Sequence, residues 1–170
     1  NELIKLSARE VHRLLRSKDI SPLQLLDALE ERIAAVDQAV NAVPTLCFDR
    51  ARERAQSRDF STLPLAGIPV AIKDLIAVAG VRTTWGSMVY HDHVPETSDL
   101  LVERIEAAGG IVYAKTNTPE FGTGANTFND VFGFTRNPWN TALSAAGSSG
   151  GSAVALATGM AWLATGSDLG

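Results

Sequence analysis

The chain has 170 residues, 45% hydrophobic and 20% charged, a length and composition suited to one globular domain with a sizeable core. Lys and Arg total 15 against 19 Asp and Glu, and the net charge of -4 offers no basic footprint for nucleic acid or an anionic membrane. The single cysteine, Cys47, excludes an internal disulfide framework and a paired zinc-thiolate site.

The first residues, Asn1-Glu2-Leu3-Ile4-Lys5-Leu6, carry no basic, apolar and small-residue regions of a signal peptide, so the expected compartment is cytoplasmic. Residues 1–60 read as a helical lead-in. Ser7 with Glu10 forms a capping-box signal that opens the pattern Val11, Leu14, Leu15. Ser21, Pro22 and Gln24 repeat it, followed by Leu25, Leu26, Leu29, Ile33 and Val36 at helical spacing. Residues 42–48 read as a short strand and residues 49–58 as a charged, solvated helix. This segment is scaffold.

Residues 61–170 change to alternating strand and helix. Residues 68–72 form an apolar strand ending at Lys73-Asp74. Thr97-Ser98-Asp99 can cap a helix that carries Leu100, Leu101, Ile105 and Ala108 and ends at Gly109-Gly110. A strand at 111–114 leads to Lys115-Thr116-Asn117, a helix follows Gly150-Gly151, and a strand at 162–165 closes the series. This order argues an α/β fold with a largely parallel sheet. Ligands in such sheets bind beyond the carboxyl ends of strands, where Lys73-Asp74, Lys115-Thr116-Asn117 and Gly166-Ser167-Asp168 fall.

No charged residue occurs across residues 137–167. The apolar part, 153–164, is too short for a bilayer, which needs about 20 apolar residues. The stretch therefore reads as buried backbone carrying hydroxyls, with Phe132, Phe134 and Trp139 as core or loop packing. Trp85-Gly86-Ser87 reads as a turn near the mouth of a site.

Lys73 ends an apolar strand. It is either a lysine whose head reaches water or an amine drawn into a dry pocket, where lost hydration lowers its pKa and makes it a base. The run Gly147-Ser148-Ser149-Gly150-Gly151-Ser152 precedes a helix, with glycines that permit close approach to a ligand. It lacks the ending of a P-loop and the dinucleotide fingerprint spacing. A flexible connector is the alternative, although it would be misplaced within an apolar stretch. With Lys73, the cluster points to a serine–lysine relay, since a serine needs an adjacent base to become nucleophilic. His91-Asp92-His93 lacks a further nearby ligand and reads as a solvated loop.

Five segments together resemble the amidase signature family: Gly67-Ile68-Pro69-Val70-Ala71-Ile72-Lys73-Asp74, Lys115-Thr116-Asn117-Thr118-Pro119-Glu120, Asn137-Pro138-Trp139-Asn140, Gly147-Ser148-Ser149-Gly150-Gly151 and Gly166-Ser167-Asp168-Leu169-Gly170. Each is weak alone, and five in order are strong. The resemblance implies an α/β/α fold, a mixed sheet between helical layers, incomplete in this chain. It implies a Ser-cisSer-Lys triad, with Lys73 as base and Ser148, after a cis Gly147–Ser148 bond, as the bridging serine. Leu169 and Gly170 would supply oxyanion-hole N–H groups, with Ser149, Ser167 and Asp168 around the triad. The family's nucleophile would fall two residues past Gly170, so these 170 residues are expected to be the amino-terminal part of a longer catalytic chain and inactive alone. Gly122, Thr123 and Gly124 fall where relatives line the acyl pocket.

The activity so implied is hydrolysis of a carboxamide, small ester or anilide through an acyl-serine, with no cofactor and no metal. The partner is a small-molecule amide, with no nucleic acid and no membrane, and a homo-oligomer is left open. One rival is the tRNA-dependent amidotransferase, which amidates misacylated tRNA. Its usual Asp-Glu-Phe-Ala-Met-Gly-Ser-Ser differs from Thr118-Pro119-Glu120-Phe121-Gly122-Thr123-Gly124. The other is a truncated binding module without catalysis.

Overall fold

A computed structural model of the chain describes residues 2–168. Helices α1 (Ala8–Ser17) and α2 (Pro22–Val40) both open with complete capping boxes, Ser7 with Glu10 and Ser21 with Gln24. Each box satisfies amide donors that a helix start leaves unpaired. Helix α2 buries Leu25, Leu26, Ala28, Leu29 and Ile33, and it ends at Asn41 in the left-handed region.

The strand expected over 42–48 is only β1 (Thr45–Leu46), and Phe48 already starts α3 (Phe48–Gln56). Local hydrogen bonding explains the shortening. The Asp37 carboxylate accepts from the amides of Ala42 and Val43, and the Ala42 carbonyl accepts from Asn117, so neither residue joins a ladder there.

Strands β2 (Pro69–Lys73) and β3 (Ile111–Thr116) are parallel and buried along their whole length, with α4 (Leu100–Ala107) before β3. A bulge between Val70 and Ala71 shifts their register, so Ile72 pairs with Lys115 and Lys73 with Thr116. Short hairpins follow: β4 (Phe128–Asn129) with β5 (Gly133–Phe134), then β6 (Arg136–Asn137) with β7 (Asn140–Ser144). Helix α5 (Gly150–Ala157) and strand β8 (Leu163–Ala164) complete the described elements. The main sheet has the order β1-β3-β2-β8, with β1 antiparallel and the others parallel, which makes it mixed. Helices α3 and α4 pack on β3, while α5 packs on β2, β3 and β8. Beside β8, Trp162 is buried in the core, and its indole N–H donates to the Leu6 carbonyl at 3.1 Å.

Three expectations need correction. Leu100 and Leu101 are 65% and 47% exposed, and α4 instead anchors through Val102. The Ser98 and Asp99 side chains do not cap α4; they accept from the amides of Ala79 and Ala77 and so pin a neighbouring loop. The uncharged stretch is not buried throughout, because β7 is exposed at every residue and Trp139 is 81% exposed. Among the described residues no element covers that hairpin face. Phe134, also exposed, stacks on Phe128 at 5.1 Å.

The start of α5 meets the end of β3 with no space for a side chain. A Cβ on Gly151 would lie 2.3 Å from the Asn117 nitrogen and 2.8 Å from the Ala42 carbonyl oxygen. Both are backbone atoms that cannot swing aside. Gly151→Ala is therefore expected to destabilise the protein by about 3 kcal/mol or more, the upper range for overpacking. Urea denaturation measures this, and an unchanged midpoint contradicts the close approach.

Candidate active site

The site lies at the carboxyl ends of β2, β3 and β8, where Lys73, Asn117 and residues 166–168 converge. Lys73 is the last residue of β2 and is fully buried. Its amide donates to the Thr165 hydroxyl at 2.8 Å, which ties it to the strand beside it. Its amine donates to three serine hydroxyls: Ser148 at 2.7 Å, Ser167 at 2.8 Å and Ser149 at 3.0 Å. Burial pushes the Lys73 pKa below the ordinary lysine range, and the Asp168 carboxylate opposes that shift. A hydroxyl can donate or accept, so three of them can serve a neutral amine as well as an ammonium.

The loop that brings the serines to Lys73 is held from outside. The Gly147–Ser148 peptide bond is cis. Thr127 clamps the loop at both ends, its hydroxyl donating to the Ala146 carbonyl at 2.8 Å and accepting from the Gly150 amide at 3.0 Å. Thr118 donates to the Ser148 carbonyl at 3.3 Å. The Ser149 hydroxyl accepts from the Ser167 amide and donates to the Ser167 carbonyl, stapling the two segments together. Below them, Thr116 and Ser152 share a 2.6 Å hydrogen bond, and Ser152 donates to the Thr165 carbonyl.

The opposite face of the sheet carries a second buried lysine. Residues alternate faces along a strand, so Lys115, the partner of Ile72, points away from Lys73. Its amine donates to Asp74 at 2.9 Å and to the Thr83 hydroxyl at 2.7 Å. The other Asp74 oxygen accepts from the Thr84 hydroxyl and amide. Burial lowers the Lys115 pKa, and the Asp74 carboxylate offsets part of that. Lys115 and Asp74 fall at the ligand end of the sheet in sequence, but their pairing is not legible there. Charged residues closing two wholly apolar strands were the available signal, but the register shift that matches them is a tertiary feature.

Next to the serine loop lies a cleft of about 530 Å³ lined by Gly86, Met88, Pro119, Thr123, Gly124 and Asn126 among others. It abuts the loop, since a Cβ on Gly147 would come within 3.0 Å of the Asn126 backbone. Thr123 and Gly124 thus face the cleft. Gly122 is buried behind them, where a Cβ would meet Leu75 at 2.8 Å. Trp85 and Gly86 form a left-handed turn at the rim, where the Trp85 carbonyl accepts from Phe121 at 2.7 Å. Trp85 also stacks on His93 at 5.2 Å and meets Tyr90 edge-on. His93 therefore belongs to a ring cluster and not to a solvated loop, whereas His91 is half exposed.

Asp168 and Ser167 sit at the open end of the site, and both are exposed. Leu169 and Gly170 lie outside the described residues. Among the described residues, no three His, Cys, Asp or Glu side chains are arranged to hold a metal ion. Burial pushes the Cys47 thiol up to about 11, which disfavours the thiolate a nucleophile needs. No described helix is long and apolar enough to cross a membrane.

The family model described as Amidase matches residues 24–170. The chain is 43% identical over 169 residues to a glutamyl-tRNA(Gln) amidotransferase subunit of Methylacidiphilum infernorum (isolate V4), an alignment covering 99% of this chain and 34% of that protein. Among solved structures it superposes on 6-aminohexanoate cyclic dimer hydrolase with TM-score 0.87 and 34% identity, covering 95% of this chain and 33% of that one. It is also similar to a bacterial aryl acylamidase of the amidase signature enzymes family, with TM-score 0.83, 32% identity and coverage of 92% and 34%. The chain spans about a third of the length of the proteins it matches. With its own fold and the family match over most of its length, the chain belongs to the amidase signature family.

Proposed function

We propose that this chain supplies the base and relay of an enzyme that hydrolyses a small-molecule carboxamide, ester or anilide through an acyl-serine. One observation carries the reading: a fully buried amine donates at 2.7 Å to Ser148, within a cluster of hydroxyls and beside an open cleft. In the full-length protein a serine downstream of Gly170 attacks the substrate carbonyl. Its proton passes to the Ser148 oxygen while the Ser148 proton passes to the Lys73 nitrogen, so the nucleophile is activated as positive charge arises on the amine and negative charge on the carbonyl oxygen under attack. The protonated lysine then returns the proton through Ser148 to the leaving amine. Water repeats the relay to release the acid and restore the serine. The family resemblance assigns the oxyanion-holding N–H groups to Leu169, Gly170 and the residues after them, since an amide carbonyl needs preorganised donors to be attacked.

The acyl group lies in the cleft past Thr123 and Gly124, whose small side chains leave room for it. The substrate is a small molecule and the site needs no metal or nucleotide. Supporting neighbours are Ser149 and Ser167, which hold the amine, and Asp168, whose charge restrains how far its pKa falls.

A second reading is amidotransfer on aminoacyl-tRNA, favoured by 43% identity to a protein with that name. Feeding the full-length protein glutamine with and without tRNA separates the two. Hydrolysis is expected to proceed without tRNA, and release of ammonia that demands added tRNA supports amidotransfer instead.

Lys73→Ala in the full-length protein is expected to lower kcat/KM by about 10⁴-fold, and Ser148→Ala by about 10²-fold or more, within the usual range for proton transfer. Steady-state assays on an amide screen measure both. Retained activity in Lys73→Ala removes the lysine from the mechanism. Because the neutral amine is the active form, kcat/KM should rise with pH through the Lys73 pKa and be lost as pH falls below it. That acid limb should lie below the ordinary lysine range, given the downward shift. A limb at the ordinary value, or none that Lys73→Ala removes, contradicts the assignment.

A further inference from the structure

The Asp74–Lys115 pair takes no part in the relay just described, yet it sits directly beneath it. Both side chains are buried, 0% exposed for Lys115 and 1% for Asp74, with their charges matched at 2.9 Å. Removing two charges from water carries a penalty of several kcal/mol per ion, and apolar replacement of such a pair is often neutral or stabilising. Overall stability therefore gives no sufficient reason for the pair. What it joins is more informative.

Asp74 follows Lys73 directly. Its amide donates to the Thr116 carbonyl at 2.9 Å, its carbonyl accepts from Trp85, and its carboxylate holds Thr84 and Lys115. Lys115 reaches on to Thr83. The Thr84 hydroxyl, which donates to Asp74 at 2.6 Å, accepts in turn from the Gly86 amide at 3.0 Å. Gly86 lines the cleft and lies so close to residues 118–120 that a Cβ would come within 3.0–3.1 Å of their backbone. A single dry knot thus connects the backbone that aims the Lys73 amine to the turn that forms one wall of the cleft.

We propose that Asp74 and Lys115 are positioning residues that fix the Lys73 amine and the Trp85–Gly86 wall in one frame, so that base and substrate are held in register. They touch neither the serines nor the cleft and act through Lys73 and Gly86. This proposal rests on the reading of Lys73 as the base. Displacement of a catalytic group by about 1 Å can cost about 100-fold in rate, and the knot is the device that prevents it. Loosening it also lets water reach the Lys73 pocket, which removes part of the desolvation that favours the neutral amine.

The test compares three variants of the full-length protein: Lys73→Ala, the double variant Asp74→Asn with Lys115→Met, and Thr84→Val. The double variant removes both charges together, leaving an oxygen for Thr84, so no single buried charge is stranded. Thr84→Val keeps the pair but cuts its link to Gly86. Each is measured for thermal midpoint, for kcat and KM separately, and for the acid limb of kcat/KM. The double variant is expected to keep a near-parental midpoint, to lose about 100-fold in kcat/KM, and to move its acid limb upward toward the ordinary lysine range. Thr84→Val is expected to raise KM more than it lowers kcat, because the cleft wall moves while Lys73 stays.

A folded double variant with parental kcat/KM and an unmoved acid limb overturns the proposal. If the double variant does not fold, Thr84→Val decides: parental KM overturns the proposal and a raised KM supports it. If Lys73→Ala keeps activity, the reading of the base fails instead. An inactive Lys73→Ala beside an unaffected double variant leaves that reading standing and removes only the positioning role.

Discussion

Two lysines are buried on adjacent strands of one sheet, and their partners decide what each can do. Lys115 faces a carboxylate at 2.9 Å, an environment that favours the ammonium. Lys73 faces three serine hydroxyls at 2.7–3.0 Å, partners that serve an uncharged amine equally well. Desolvation acts on both, but among the described residues only Lys115 has a carboxylate in direct hydrogen-bond contact to balance it, while Asp168 acts on Lys73 through its charge. The difference comes from strand geometry. Alternating side chains and the bulge after Val70 send the two amines to opposite faces.

Everything around Lys73 serves to hold hydroxyls against it. Thr127 grips both ends of the serine loop, Ser149 staples that loop to the turn after β8, and Thr165 fixes the Lys73 backbone. Gly151 lets α5 start against the end of β3, which places the loop before that helix over the sheet. Neutral hydroxyl networks of this kind hold a base without charging it. A carboxylate in the same place would favour the proton on the lysine and oppose the proposed relay.

The parts legible in sequence are those set by local chemistry. The capping boxes at Ser7 and Ser21, the apolar strands β2 and β3, and a helix following the glycine-rich loop follow from spacing alone, although α5 begins at Gly150 itself and not after Gly151. The hydroxyl cluster and the ordered motifs join Lys73 with Ser148 in sequence, and the structure sets the two side chains 2.7 Å apart. Tertiary choices were not legible. Asp37 captures the amides of Ala42 and Val43 and shortens β1, while Ser98 and Asp99 turn from helix capping to a neighbouring loop. Leu101 and Trp139 are apolar yet exposed, because burial depends on what covers a face and not on residue type. The left-handed turn at Trp85 and the ion pair beneath it have no period to reveal them.

The most direct measurement is an NMR titration of the Lys73 side chain in the full-length protein labelled at lysine ε-carbon, with Lys73→Met assigning the signal. The account predicts that this resonance titrates below the ordinary lysine range. A Lys73 signal that titrates at or above that range would place a permanent charge beside the serines and contradict the account.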